Sequence, residues 1–243
     1  MKSAVASLES RTVEVWSGSL DQGPEVRRRL GSLLSADERD RAARFRFDRD
    51  RARYVVGRGL LRSLLGHYVD RHGAELRFTY GDQRKPALVG EGPQFNLAHS
   101  GATALFAFSS AMEVGIDVEL MRTDFAATEI PERFFSPREV AALRALPEEA
   151  QAQAFLTCWT RKEAFLKARG DGLMLALDSF DVTLAPGEPA AVMRTGWSVE
   201  EAARWQLVDI SDLERGHIAA LAAPATGWSC VCREIEITTV VYN

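Results

Sequence analysis

Cysteine is scarce in this 243-residue chain, and what there is falls in no metal-binding pattern. Cys158, Cys230 and Cys232 are odd in number and lack zinc-ligand spacing, so the simple expectation is a reduced, cytoplasmic protein. Long apolar runs are also missing. No stretch approaches the roughly 20 residues needed to span a bilayer, and Met1 to Leu20 carries acids and a Trp without a continuous apolar core, so neither a membrane partner nor a targeting signal is expected. A dominant charge is absent as well: the formal net charge is −4, which gives no global reason to expect a nucleic-acid partner. Low-complexity segments and clear internal repeats are lacking. With 46% hydrophobic and 26% charged residues, the chain reads as an ordinary globular protein able to bury a core.

Carboxylates in two different settings carry the chemical signal. In Val114-Gly115-Ile116-Asp117-Val118-Glu119 apolar and acidic residues alternate, as on a strand, so Asp117 and Glu119 share a face. Around Trp159-Thr160-Arg161-Lys162-Glu163-Ala164-Phe165-Leu166-Lys167 the apolar spacing is helical, which puts Glu163 and Lys167 one turn apart. A helix packed across the strand would bring three carboxylates together. Three close negative charges out of bulk water need a cation, and an all-oxygen site suits Mg²⁺, with Mn²⁺ as the alternative. The bland readings are a polar strand face for Asp-x-Glu and a surface ion pair for Glu163 with Lys167.

Between Asp37 and Arg62 nine arginines face five acids. Such a stretch either holds a polyanion or forms a solvated helix face laced with salt bridges. Ser35-Ala36-Asp37-Glu38 reads as a capping start with the helix running on through the arginines, and Val55 to Tyr68 continues it with Leu60, Leu61, Leu64 and Leu65 inward. Strands are expected at residues 11–20, 76–80, 95–99, 104–109 and 113–120, the last two as a hairpin about Ser110. A second round follows, with helices at 131–135, 136–146 and 148–168 and strands at 178–183, 205–209, 217–223 and 230–238. The fold class is α+β: two pseudo-symmetric halves, 1–112 and 113–243, each a small antiparallel sheet packed with helices, with the carboxylates near their junction.

Several stretches, in order, resemble the Sfp-type 4'-phosphopantetheinyl transferases: Arg44-Phe45, Arg53 to Gly57, Lys85-Pro86, Phe95-Asn96-Leu97-Ala98-His99-Ser100-Gly101, Val114 to Glu119, Arg133-Phe134-Phe135-Ser136, Trp159 to Lys167, and Gly170-Asp171-Gly172-Leu173 leading to Leu177-Asp178-Ser179-Phe180. The resemblance implies that family's fold and its reaction. In that reaction the 4'-phosphopantetheine arm of coenzyme A passes to a serine of an apo acyl or peptidyl carrier protein, releasing adenosine 3',5'-bisphosphate. Carriers of polyketide, nonribosomal peptide, fatty-acid and siderophore assembly fall within its range, the setting of secondary-metabolite biosynthesis. It implies Asp117, Glu119 and Glu163 as metal ligands, Glu163 also as the base, and Lys167 on the phosphates or the departing nucleotide. His99 would touch a phosphate of coenzyme A, with Arg41, Arg44, Arg53 and Lys85 as candidates for its 3'-phosphate and pyrophosphate. The sequence departs from better-known members at Ala98, Arg84, Tyr54 and Glu38, the last where some relatives are basic. Both halves in one chain imply a monomer. Two other readings stay open on the same residues: a different Mg²⁺-dependent phosphotransferase or pyrophosphohydrolase, and a coenzyme A- or carrier-binding protein without activity.

Overall fold

The computed structural model describes residues 8–81, 85–122, 129–170, 175–214 and 216–237. Along the first part run β1 (Thr12–Ser19), α1 (Pro24–Ser32), α2 (Ala36–Ala43), α3 (Asp48–Val69), β2 (Phe78–Tyr80), β3 (Pro86–Leu88), β4 (Gln94–Ser100), β5 (Thr103–Ser109) and β6 (Gly115–Leu120). Then follow α4 (Ile130–Phe134), α5 (Pro137–Arg144), α6 (Glu148–Arg169), β7 (Phe180–Val182), β8 (Val192–Thr195), β9 (Trp205–Asp209), β10 (His217–Pro224) and β11 (Ser229–Glu234). The class is α+β, with small antiparallel sheets packed with helices. Among the described residues no helix is long and apolar enough to cross a membrane.

Two sheets and two 22-residue helices frame the molecule. The sheet ordered β11-β1-β5-β4 carries α3 on one face, where Leu60, Leu61, Leu64 and Leu65 meet Phe95, Phe106 and Phe108. The sheet ordered β6-β10-β9 carries α6, whose Ala164, Phe165 and Ala168 meet Ala220 and Ala222. The opposite faces of both sheets close over a shared core of Val13, Val15, Leu105, Ala107, Ile116, Val118, Ala219 and Leu221. Alternation along β6 therefore does two jobs: Ile116 and Val118 enter that core, and Gly115, Asp117 and Glu119 take the α6 side.

The sheets meet edge to edge along β4 and β6. Asn96 Oδ1 accepts a hydrogen bond from the Ile116 amide (2.9 Å), and Ser100 Oγ accepts one from the Leu120 amide (3.0 Å). The two strands thus run in the same direction, stitched by side chains instead of a backbone ladder. This corrects the expected hairpin: β5 pairs with β4 and β1, whereas β6 pairs with β10.

Three further differences have plain physical reasons. The arginine-rich helix is two helices, because the chain leaves α2 at Arg44 and re-enters at Phe47, whose φ of −107° and ψ of 133° are extended. The final strand, β11, lies parallel to β1 in the first half's sheet, with Val13 opposite Cys230 and Val15 opposite Cys232. Strand β8 was not anticipated; its four residues pair irregularly with β7 about a bulge between Asp181 and Val182. Of the Gly170-Asp171-Gly172-Leu173 motif, residues 171–173 lie outside the described residues, as does Arg84.

Candidate active site

Close backbone approach creates the site. Gly115 on β6 faces α6 so tightly that a Cβ there would fall onto the Ala164 carbonyl oxygen and the Ala168 amide nitrogen. Only glycine fits, and the contact lowers the turn bearing Glu163 and Lys167 onto Asp117. Trp159, stacked on Phe155 (6.1 Å) and edge-on to Phe134 (5.9 Å), packs the helix from the other side. That is packing, as its sequence position suggested.

Asp117 is only 6% exposed. Lys167 Nζ donates to its Oδ1 at 2.6 Å, and its Oδ2 is buried with no hydrogen-bond partner among the described residues. Burial pushes the Asp117 carboxyl up to about 6 in spite of Lys167, and the nearby charges of Glu163 and Glu119 push the same way. Glu119 accepts a hydrogen bond from Ser100 Oγ (2.9 Å), so one serine both stitches the strands and orients an acid.

His99 lies exposed on β4, on the other side of the seam. Crowding by surrounding protein lowers its pKa, the Lys167 and Arg53 charges act in the same direction, and Glu119 opposes them. Those influences put His99 within electrostatic reach of Arg53 on α3, Glu119 on β6 and Lys167 on α6, across the β4–β6 seam. Asp117 in turn feels the charges of Lys167, Glu163 and Glu119, and of these it contacts Lys167 directly.

The other basic candidates are placed differently. Lys85 Nζ pairs with Glu113 (2.8 Å) and donates to the carbonyls of Lys167 (3.0 Å) and Val114 (3.2 Å), tying the end of α6 to the start of β6. Arg53 is held by both oxygens of Asp21 (2.7 and 2.8 Å). Arg41 is exposed over the Tyr54 ring at 5.4 Å, and Arg44 is exposed at the end of α2. The solvated-face reading holds for part of this stretch, since Arg49 and Arg51 pair with Asp50 and Asp48.

Glu38 explains its own departure from a basic residue. It is 1% exposed, caps α2 by accepting from the Ser35 amide (3.0 Å), and pairs with Arg58 and with Arg62 (2.6 Å). Both guanidiniums stack on Phe78. Lys162, inside the Trp-x-x-Lys-Glu motif, is likewise structural: it is 0% exposed, pairs with Glu139 (2.8 Å) and donates to the carbonyls of Leu177 and Phe180. Asn96 and Ser100, noted in the sequence only as part of a motif, and Glu113, which was not noted, carry the junction. Their value lies in partners about 20 to 28 positions away, which spacing alone does not reveal.

Among the described residues no three acid, histidine or cysteine side chains are already gathered as a metal cluster. The donors nevertheless fit a hard divalent cation. Asp117 carries an orphaned, buried carboxylate oxygen and lies within electrostatic range of the Glu163 and Glu119 carboxylates, and oxygen donors of that kind suit Mg²⁺. The arrangement can hold a cation and anionic oxygens together, which suits chemistry at a phosphate.

Comparison with known proteins fits this geometry. The family models for "4'-phosphopantetheinyl transferase, N-terminal" and "4'-phosphopantetheinyl transferase superfamily" match residues 23–111 and 113–222. The 4'-phosphopantetheinyl transferase HetI of Nostoc sp. is 37% identical over 226 residues, which cover 91% of this chain and 92% of HetI. Two Bacillus subtilis transferases are similar over a shorter span. The transferase ffp is 36% identical across 64% of this chain and 69% of its own, and Sfp is 35% identical across 66% and 70%. With a likeness that runs nearly end to end, the chain belongs to the 4'-phosphopantetheinyl transferase family.

Proposed function

We propose that this protein transfers the 4'-phosphopantetheine arm of coenzyme A to a serine of an apo acyl or peptidyl carrier protein, releasing adenosine 3',5'-bisphosphate. The carrying observation is the buried Asp117 carboxylate, with one oxygen on Lys167 and the other unpartnered, beside Glu119 and Glu163. Asp117, Glu119 and Glu163 would hold Mg²⁺, or Mn²⁺, which when bound neutralises charge gathering on the pyrophosphate oxygens. Lys167 exchanges its bond to Asp117 for one to a phosphate oxygen. Glu163 takes the proton of the attacking serine hydroxyl. His99, with its pKa lowered, is neutral near pH 7 and binds phosphate as an N–H donor, not as a cation.

Arg53, Arg41 and Arg44 supply positive charge on the α2–α3 side for the 3'-phosphate and pyrophosphate, and Lys85 supports the same site from the α6 end. The division of labour follows the halves 1–112 and 113–243: the first binds coenzyme A phosphates, the second holds the metal and the catalytic helix. Family-model matches ending at 111 and resuming at 113 support that boundary. Because His99 and Asp117 come from one chain, a monomer has a complete site, and the three free thiols are in keeping with a cytoplasmic setting.

The test is intact-mass spectrometry of a panel of apo carriers incubated with the protein, coenzyme A and Mg²⁺, with an EDTA control and a Glu163→Gln arm. The expected result is a mass gain of one phosphopantetheine arm that requires the metal and is lost in the variant while its fold is retained. Hydrolysis of coenzyme A without carrier modification would replace the reading with the pyrophosphohydrolase one. Binding without turnover on every carrier would replace it with a binding protein.

A further inference from the structure

The two thiols of β11 lie far from this chemistry. The strand occupies the outer edge of its sheet, two strands removed from β4 and the seam. Cys230 and Cys232 are two residues apart, on the same strand face as their cross-strand neighbours Val13 and Val15. Their sulfurs stand 3.7 Å apart. Cys232 is exposed and Cys230 half-buried, whereas Cys158 is buried in α6. Alternate residues of a strand have Cα atoms about 6.6 Å apart, inside the roughly 6.8 Å limit for a disulfide. That spacing is at the upper end of the range, so closure needs β11 to pucker at Val231 and bring the two Cβ atoms together, and the strand is an outer edge held, among the described residues, by β1 alone.

We propose that Cys230 and Cys232 form a thiol–disulfide exchange site, with Cys232 as the attacking thiol, Cys230 as the resolving thiol, and small-molecule disulfides as its co-reactant. The proposal stands independently of the transferase reading. In the first step the Cys232 thiolate attacks one sulfur of the small disulfide, forming a mixed disulfide and releasing one thiolate. In the second, Cys230 loses its proton and attacks the Cys232 sulfur, closing the intrachain disulfide and releasing the second thiolate. Overall two protein thiols are oxidised and one small disulfide is reduced to two small thiols. The division of roles follows exposure: Cys232 meets the reagent, and Cys230, beneath it, is the sulfur next in reach. Electrostatics point the same way. The two thiols share a hydrogen bond, which favours the thiolate on the more exposed Cys232 and holds the proton on the more buried Cys230, while burial pushes Cys158 up and keeps it inert. An exposed disulfide with little slack belongs to the readily reduced kind.

The experiment treats the reduced full-length protein with oxidised glutathione near pH 7 and follows intact mass with peptide mapping. The native chain should lose two hydrogens, with the closure mapped to the peptide carrying both cysteines and Cys158 still reduced. Cys230→Ser should accumulate a stable glutathionyl adduct on Cys232. Cys232→Ser should react at least about tenfold more slowly, reflecting the smaller thiolate fraction of an ordinary thiol. A stable adduct on the native chain, a covalent dimer, equal rates for the two variants, or no reaction would each overturn the proposal.

Discussion

Gly115 and Ala164 are in backbone contact: no Cβ fits between β6 and the carbonyl of Ala164 on α6. The remaining neighbour, Ala168 Cα, would lie only 2.9 Å from that Cβ, so the helix has no room to yield by side-chain motion. Gly115→Ala should therefore cost about 1–3 kcal/mol or slightly more as α6 shifts outward. It should also weaken Mn²⁺ binding, because Glu163 and Lys167 move with the helix. Urea denaturation and Mn²⁺ titration by electron paramagnetic resonance check the two effects separately.

The raised pKa of Asp117 sets a pH dependence. An acid that titrates at about 6 when folded, against an ordinary 3.8, binds protons more tightly in the native state. Stability therefore falls as pH rises from about 4 to about 6, by about 3 kcal/mol at most. Asp117→Asn should flatten that segment of the pH–stability curve and leave the variant more stable than the native chain at pH 7. Divalent metal should stabilise the native chain at pH 7 and leave the variant nearly unmoved. Thermal melts across pH 4–8, with and without Mg²⁺, measure both.

Lys162 sits beside Glu163, the proposed base, in sequence but is a core cation, so its loss should appear as unfolding. Lys162→Ala leaves Glu139 charged and buried, at a cost of about 3–5 kcal/mol. Glu139 also caps α5 by accepting from the Ser136 amide and holds the Val182 amide, so α5 and β7 should loosen together. Hydrogen exchange at those two elements is the readout.

Two residues of the arginine-rich stretch should behave oppositely. Glu38→Ala strands Arg58 and Arg62 without their carboxylate and should cost about 3–5 kcal/mol. Arg41→Ala, at an exposed position, should change stability by no more than about 0.5 kcal/mol while raising KM for coenzyme A more than it lowers kcat. Denaturant midpoints and steady-state kinetics separate the pair.

Much of this was readable before any coordinates. Leucines at 60, 61, 64 and 65 marked the buried face of α3, and alternation from 114 to 119 placed Asp117 and Glu119 on one face, because both signals come from the local repeat of a single element. Pairing was not readable. The turn near Ser110 suggested a hairpin, yet β6 finds its ladder partner in β10, about a hundred residues further on, and is hydrogen-bonded to β4 through the side chains of Asn96 and Ser100. Nor did spacing show that Glu38 would be enclosed by Arg58 and Arg62, since that depends on α2 lying against α3. Lys85 fits the same pattern: its carbonyl partner on Lys167 is 82 positions away.

The placement of β11 next to β1 also bears on how the chain is made. Thr12 and Ser229 share a hydrogen bond across 217 positions, so the sheet lacks its outer strand until more than two hundred residues have been added after β1. During translation β1 leaves the ribosome with one edge unmatched, and long-range closure of this kind is slow. The first half is then exposed to strand-to-strand aggregation until β11 emerges, and removing the chain after Pro224 would make that interval permanent.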